Sequence, residues 1–333
     1  MINKTLFLWI LFVVFIISSC TNNPKYHKKS DLEGSITISG AFALYPITAK
    51  WAEEFMKLYP NVTIDVSAGG AGKGMTDALS GMVDLGMVSR PLSEAEINRG
   101  AWYIGVVKDA VVPVFSSSNP YADSIRKRGM TQKQLKAIFI DGRLSDWQRI
   151  YNGNTKAHVH LFTRSDACGA GEMFGRYLGM NQEALQGVGV FGDPGMADAV
   201  KNEPLSLGYN NIIYVYDIKS RHYNKGIEVV PLDLNENRII DKEEHFYQNL
   251  DSLSAAIREG KFPSPPAREL YFVSKGKPEN KVVKEFLKWV LTDGQQYVKM
   301  AGYVELSEKK RIDELSKVRF VLRKGLSSND SLK

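Results

Sequence analysis

From residue 35 onward, short runs of β-branched residues alternate with segments whose apolar residues recur at helical spacing. The first predicted strands are residues 35–38, 62–66 and 83–88. Between them, apolar residues from Ile47 to Leu58 predict a helix that begins behind Pro46 and stops at Pro60, and residues 75–79 predict a second helix. This βαβαβ order predicts an α/β fold whose mostly parallel sheet carries helices on its faces.

A second alternation follows and predicts a second lobe. Residues 102–115 form a long β-rich run that suits a strand crossing into that lobe, and the proline-dense segment 262–266 precedes a returning strand at 270–274. Within the second lobe the predicted elements are a helix at 135–140, a strand at 159–163, helices at 171–178 and 197–201, and a strand that begins at 207. Residues 281–303 predict a final helix that docks on the first lobe. Two lobes joined by two crossings would bind a ligand in the cleft between them.

The N-terminus has the pattern of an export signal. Lys4 precedes an apolar run over residues 6–17, and a Ser-Ser-Cys sequence ending at Cys20 follows it. The apolar run is shorter than the roughly 20 residues that a membrane-spanning helix needs. Because its end resembles the lipobox of bacterial lipoproteins, we expect residues 1–19 to be a signal peptide and Cys20 to carry an acyl lipid such as palmitate. The polar segment 20–34 then predicts a flexible, lipidated tether at the membrane.

Composition limits the class of protein. The chain has 333 residues, of which 44% are hydrophobic, and this is enough for a core in one or two domains. Its formal charge of +6 is modest, and its basic residues lack the aromatic interleaving of a nucleic-acid-binding surface. With Cys20 acylated, Cys168 has no partner for an intramolecular disulfide. The few histidines are dispersed and show no zinc-site spacing with cysteine, so no metal and no cofactor is predicted.

Three glycine-rich turns each lead from a predicted strand into a predicted helix. They are residues 39–46, 69–74 and 164–171. Each turn would point unpaired main-chain N–H groups and the positive end of a helix dipole at one place, and such groups bind anions. Because the turns belong to both predicted lobes and are accompanied by Lys73, Arg90 and Arg164, they predict a clamp for an oxyanion.

Structural explanations of the same residues remain open at this point. Glycine is common in the tight turns of any α/β fold. A lysine follows Gly72, but Gly74 stands where a nucleotide-binding P-loop requires serine or threonine. Arg90 could simply pair with an acid on the surface, and Asp84 and Asp109 are typical of solvated turns.

Seven collinear segments resemble the phosphate-specific substrate-binding proteins of ABC importers. They are residues 38–55, 69–79, 83–90, 138–147, 163–174, 199–209 and 269–277. The resemblance implies a type II periplasmic-binding-protein fold, in which two lobes of mixed sheet flanked by helices are joined by two hinge crossings. Lobe 1 would comprise residues 35–112 with 267–325, and lobe 2 residues 113–266. It also implies a monomer in the cell envelope that closes around inorganic phosphate, passes it to permease subunits and performs no catalysis.

Carried over position by position, the resemblance places nine residues at the anion. They are Phe42, Ala43, Ala71, Gly72, Arg90, Arg164, Cys168, Gly169 and Ala170. It implies that backbone amides of the turns donate to the anion and that Arg164 adds a charge-assisted, bidentate contact.

Several of these positions depart from the family pattern. Phe42, Ala71, Cys168 and Ala170 lack the hydroxyl groups that are common there. Arg90 stands where several members have an aspartate that accepts the proton of hydrogen phosphate. Without that acceptor, the predicted site loses an obvious way to prefer protonated phosphate over sulfate-like ions.

Two other functions stay open. A surface lipoprotein of the same fold could bind or sense another tetrahedral oxyanion without a dedicated permease. An enzyme would instead use Cys168, at the start of a helix and near Arg164, as an activated thiolate. The nearest histidines, His158 and His160, lie on the strand before the turn, so no base is evident and we predict a binding protein rather than an enzyme.

Overall fold

The computed structural model describes residues 31–153 and 157–318 of the chain. The predicted signal peptide 1–19, the lipidated Cys20 and most of the tether 20–34 lie outside the described residues, so these predictions stay predictions. Within the part that is described, no helix has the length and apolar character needed to cross a membrane.

Strands and helices alternate along the described chain. The strands are β1 (Glu33–Gly40), β2 (Asn61–Ala68), β3 (Leu85–Val88), β4 (Ala101–Ser116), β5 (His160–Arg164), β6 (Val188–Val190), β7 (Ser206–Asn211), β8 (Ile227–Val229) and β9 (Ala267–Lys275). The helices of the first half are α1 (Tyr45–Leu58), α2 (Ala71–Ser80), α3 (Glu94–Asn98), α4 (Ala122–Arg128), α5 (Gln132–Phe139) and α6 (Trp147–Tyr151). Those of the second half are α7 (Gly169–Tyr177), α8 (Gly192–Asn202), α9 (Ile212–Val215), α10 (Leu250–Arg258), α11 (Lys281–Leu291) and α12 (Glu308–Val318).

The strands form a mixed sheet in the order β2-β1-β3-β9-β4-β7-β5-β6, with β8 paired to β4. Strand β1 is parallel to β2 and β3, as the predicted βαβαβ order requires. Strands β5, β6 and β7 form a second parallel group. Strand β9 is antiparallel to both β3 and β4. The predicted α/β class is confirmed.

Strand β4 belongs to both halves of the sheet. Its residues 101–110 pair with β9, whereas residues 111–116 pair with β7 and β8. One long strand therefore joins the two parallel groups, and β9 returns beside it. These two strands occupy the places of the predicted crossings, while the lobe limits 35–112 with 267–325 and 113–266 remain a prediction from the sequence.

Helix α1 illustrates how the sequence sets the limits of an element. Pro46 occupies its first turn, where a missing N–H costs nothing, and Pro60 follows its end. Trp51 and Phe55 lie one turn apart and are fully buried. The indole N–H of Trp51 donates to the main-chain oxygen of Gly294 at 2.8 Å, which ties the helix to the C-terminal part of the fold.

The predicted helix over 281–303 is too long. Helix α11 ends at Leu291, because Thr292 leaves the helical region with φ −117° and ψ −99°, and a 3₁₀ turn follows at Asp293–Tyr297. Its predicted docking on the first lobe is correct. The ring of Phe286 lies 5.3 Å from that of Phe55 on α1 and 6.1 Å from that of Phe272 on β9.

We expect the Phe286→Ala substitution to destabilise the protein by about 3–5 kcal/mol, since it removes a fully buried ring from this aromatic cluster and leaves a cavity. The free energy of unfolding in urea measures the effect. Lys288→Ala, on the exposed side of the same helix, is the matched control and should stay within about 0.5 kcal/mol of the unmodified chain. Equal midpoints for the two variants would mean that α11 does not support the core in this way.

Candidate functional site

The three glycine-rich turns meet at one place. A Cβ atom on Gly40 would lie 2.7 Å from the Cα atom of Gly74 and 2.4 Å from the main-chain oxygen of Met87, so the first two turns touch and leave no room for side chains. The second turn meets the third, because the N–H of Gly72 donates to the main-chain oxygen of Ala167 at 3.0 Å. The clamp predicted from these turns therefore has the required convergence.

Several main-chain N–H groups in these turns make no hydrogen bond to the described residues. They belong to Phe42, Ala43, Ala71, Gly169 and Ala170. Two lie just before α1 and three at the first positions of α2 and α7, where a helix has no internal partner for its N–H groups. All five residues belong to the set predicted from the sequence, whereas the N–H of Gly72, a sixth member, is bound to Ala167.

Arg164 is buried at the end of β5 with a side chain that is 1% exposed. Its Nε and Nη2 atoms donate to Asp166 Oδ1 and Oδ2 at 2.8 and 2.6 Å, and its Nη1 atom lies 2.8 Å from Asp193 Oδ2. Burial lowers the pKa of the guanidinium, but the carboxylates of Asp193 and Asp166 outweigh it and hold that pKa above its ordinary value. The group keeps its positive charge, and Nη1 has no aligned acceptor among the described residues.

Asp193 was not predicted from the sequence. It lies in the first turn of α8, and its Oδ1 atom accepts a hydrogen bond from the amide of Asn211, while its main-chain oxygen accepts one from Asn210 at 3.0 Å. Burial raises the pKa of its carboxyl group, and Arg164 opposes that rise. The Gly-Asp pair that begins α8 after strand β6 was the available signal, since it is a fourth strand-to-helix turn.

Arg90 forms an ion pair on the rim of the site. Its Nη1 and Nη2 atoms donate to Glu96 Oε2 and Oε1 at 2.9 and 2.6 Å, and Glu96 also caps α3 with Ser93. This ion pair agrees with the alternative given above, in which Arg90 pairs with an acid on the surface. Lys73, the third cation considered, is bound to Asp77. A role of Arg90 at the ligand stays a prediction.

The prediction that Asp109 is a solvated turn residue is wrong. Asp109 is fully buried in β4, and its Oδ2 atom accepts from Arg268 Nη2 at 3.3 Å. Burial raises the pKa of this carboxyl group to about 7, although the charge of Arg268 opposes the rise. Asp109, which was predicted to be solvated, therefore lies in the interior behind the site.

Cys168 caps α7 and is not an activated thiolate. Its Sγ atom accepts from the N–H of Gly171 at 3.2 Å, and burial raises the pKa of the thiol to about 12 even though Arg164 opposes the rise. His158 and His160 lie beside Asp146 and Glu203, at 3.7 and 3.0 Å respectively. The structure contradicts the alternative of thiolate catalysis.

Aromatic residues pack beside Arg164. The ring of Phe42 lies 5.8 Å from the guanidinium carbon of Arg164 and packs edge-on against Phe191, with 5.8 Å between ring centroids. The hydroxyl of Tyr214 donates to the main-chain oxygen of Phe42 at 2.9 Å. Since Phe42 belongs to the first predicted lobe and the other three residues to the second, these contacts join the two sides of the cleft.

We expect the thiol of Cys168 to react slowly in the folded protein, because a pKa of about 12 leaves little thiolate at neutral pH. A Cys20→Ser chain has Cys168 as its one cysteine and can be treated with a chromogenic disulfide at pH 8. The folded chain should react at least about 100-fold more slowly than the same chain in guanidinium chloride, whose thiol has an ordinary pKa of roughly 8.5. Comparable rates in the two states would show that the thiol is accessible and ionised.

Relatives match large parts of the chain. The phosphate-binding protein PstS of Pseudomonas aeruginosa is 28% identical over a region that covers 88% of this chain and 90% of that protein. PstS of Bacillus subtilis is 26% identical, covering 65% of this chain and 73% of its own length. A solved structure of a candidate phosphate ABC transporter substrate-binding protein from Clostridium perfringens, with bound phosphate, aligns with a TM-score of 0.67 at 20% identity and covers 82% of this chain and 100% of that one.

The structural likeness confirms the predicted type II periplasmic-binding-protein fold with its two lobes. A family model described as a PBP superfamily domain matches residues 27–294, which is most of the chain. The chain therefore belongs to the PBP superfamily, a family of substrate-binding proteins rather than enzymes, and within it the chain is PstS-like.

Proposed function

We propose that this chain is an exported, lipid-anchored substrate-binding protein that captures inorganic phosphate between its lobes and delivers it to the permease of an ABC importer. One observation carries the proposal. Three glycine-rich turns from both sides of the cleft converge, with five main-chain N–H groups unpaired among the described residues, beside the buried charge of Arg164. The names of its relatives, phosphate-binding proteins, support phosphate as the anion.

The geometry suits a small tetrahedral anion. Main-chain N–H groups and a guanidinium donate without being able to accept, so they favour a ligand that offers several negatively charged oxygen atoms. Arg164 donates from two of its nitrogen atoms to Asp166, and its Nη1 atom lies 2.8 Å from Asp193 Oδ2 without an aligned hydrogen bond. In the proposed binding event, lobe 1 (35–112 with 267–325) supplies the N–H groups of Phe42, Ala43 and Ala71, and lobe 2 (113–266) supplies the rest.

The proposed location is the cell envelope. The apolar segment 6–17 and Cys20 support export and acylation, and the polar tether up to residue 34 would let the two lobes stand off the membrane. We infer that the protein acts as a monomer, with the permease as its partner.

One observation favours a second candidate, a protein that binds another tetrahedral oxyanion without a dedicated permease. Both carboxylates next to the turns, Asp166 and Asp193, are engaged by Arg164, and Arg90 is paired with Glu96. No free carboxylate is left among these residues to accept the proton of hydrogen phosphate. A site of this kind has little means to separate phosphate from sulfate.

Calorimetric titration of the purified chain with phosphate, arsenate, sulfate and molybdate tests both candidates. We expect one phosphate per chain, arsenate of similar affinity, and sulfate weaker by no more than about tenfold, or 1.4 kcal/mol, because no buried acceptor penalises it. Strong binding of sulfate or molybdate with no response to phosphate would favour the second candidate. If none of the four ions binds, both are wrong.

The Arg164→Lys substitution tests the assignment of the site. Lysine keeps the charge but loses the planar fork, so phosphate affinity should fall by about 10- to 100-fold, the value of one to two charge-assisted hydrogen bonds. Arg143→Lys is the matched control, since Arg143 is exposed and pairs with Asp141. Thermal melting of each variant checks that it is folded. Unchanged affinity in a folded Arg164→Lys chain would remove Arg164 from the site.

A further inference from the structure

The loop at residues 233–244 has the ligand spacing of a calcium-binding loop. Oxygen-bearing side chains stand at its first, third, fifth, ninth and twelfth positions, and they belong to Asp233, Asn235, Asn237, Asp241 and Glu244. A twelve-residue EF-hand loop takes its ligands from these same positions, with a glutamate at the twelfth, and adds the main-chain carbonyl of the seventh. The seventh residue here is Ile239. We propose that this loop is a Ca²⁺ site in the second lobe.

The loop is already wound around its own side chains. Three main-chain N–H groups of the loop donate to side-chain oxygens of its proposed ligands. The N–H of Arg238 donates to Asp233 Oδ2 at 2.9 Å, that of Asn237 to Asn235 Oδ1 at 3.0 Å, and that of Ile239 to Asn237 Oδ1 at 2.9 Å. Both asparagine amides also donate to Asp241 Oδ2, at 2.7 and 2.9 Å. Four of the five proposed side-chain ligands therefore face one interior.

A buried carboxylate oxygen in this interior has no partner. Asp233 is 2% exposed, and its Oδ1 atom makes no hydrogen bond within the described part of the chain. Its other oxygen, Oδ2, is held inside the loop by the N–H of Arg238. Leaving a buried charged oxygen unpaired costs free energy, and a cation bound at Oδ1 would recover it. This observation is independent of the sequence pattern and points to a cationic ligand.

Glu244 closes the loop from its far end. It is 4% exposed, its Oε1 atom accepts from the main-chain N–H groups of Leu234 and Asn235 at 2.7 and 3.1 Å, and its Oε2 atom accepts from the main-chain N–H of Asp241 at 3.3 Å. A carboxylate has about four acceptor positions, so both oxygens can still bind an ion. Glu244 is therefore held beside the first residues of the loop, as the twelfth ligand must be.

The donor chemistry selects a hard cation. No three His, Cys, Asp or Glu side chains within residues 31–153 and 157–318 are already gathered as a metal-ligand group. The loop instead offers three carboxylates, two amides and one main-chain carbonyl, and the three carboxylates must draw together around the ion. An all-oxygen set of this number and flexibility suits Ca²⁺ better than Mg²⁺, which requires near-ideal octahedral geometry. The zinc spacing sought in the sequence would not detect it.

The sixth position sets the expected affinity. The EF-hand pattern requires glycine there because the chain turns sharply, but this loop has Arg238, which adopts φ 67°. A residue with a Cβ atom is strained in this region of the backbone map. With three carboxylates and this strain, we expect a dissociation constant of roughly 10⁻⁴–10⁻³ M, the range of extracellular calcium modules.

Calorimetric titration of the full chain with CaCl₂ in phosphate-free buffer tests the proposal independently of the anion site. The expected result is one Ca²⁺ per chain, a higher melting temperature with Ca²⁺, and Mg²⁺ binding at least about tenfold more weakly. Absence of saturable binding up to about 10 mM Ca²⁺, ten times the weak end of this range, overturns the proposal.

Three variants distinguish ligation from general stability. Glu244→Gln should weaken Ca²⁺ binding at least tenfold, whereas Glu236→Gln should not change it, because Glu236 faces Lys133 on the surface at 2.6 Å. Arg238→Gly should tighten binding several-fold by removing the strained side chain, a gain that loss of folding cannot produce. Equal affinities in Glu244→Gln and Glu236→Gln, or no gain in Arg238→Gly, contradict the assignment.

Discussion

The antiparallel pair of β4 and β9 holds the two halves of the fold together, and an ion pair lies buried within it. Asp109 and Arg268 stand opposite each other in this pair, and both are almost completely excluded from solvent. Burial lowers the pKa of Arg268 and raises that of Asp109 to about 7, so each partner depends on the other to keep its charge. Two nitrogen atoms of Arg268 have no hydrogen-bond partner in the described residues. The fold therefore retains the desolvation cost of these buried, unpaired nitrogen atoms at the point where the lobes join.

The candidate anion site is connected to that ion pair through side chains alone. Arg268 also donates to the amide oxygen of Asn211, whose nitrogen donates to Asp193, and Asp193 lies against Arg164. The guanidinium that faces the glycine turns is thus positioned by the strands that carry the chain between lobes. Polar contacts of this kind have strict geometry, whereas apolar contacts tolerate small shifts. A shift of the crossing strands would therefore change the position of the Arg164 guanidinium.

The sequence predicted the elements better than the contacts among their side chains. The βα alternation and the three glycine turns are local patterns, and the structure has them where they were expected. Short elements such as α3, β6 and β8 contain too few residues to show a period. Asp193, Asn211 and Arg268 come from distant parts of the chain, so no local spacing could reveal that they meet Arg164.

The wrong interpretation of Asp109 has a physical origin. Asp109 looked like a solvated residue because an isolated carboxylate favours water, but Arg268 on a strand far along the chain supplies its countercharge. The charge of Asp109 is buried only because a distant group offsets it, and composition does not record such pairing.

The selectivity of the proposed anion site follows from how its acceptors are used. Asp166 Oδ1 accepts from both Arg164 and Gly192, and its Oδ2 accepts from Arg164. Asp193 divides its two oxygens between Asn211 and Arg164. A ligand therefore meets a site lined with hydrogen-bond donors. Such a site responds to a proton on the ligand only because the protonated oxygen offers one acceptor position fewer. At equal charge, hydrogen phosphate then holds no advantage over sulfate in hydrogen bonding, and preference between them has to come from the size of the cleft that closes around the ion.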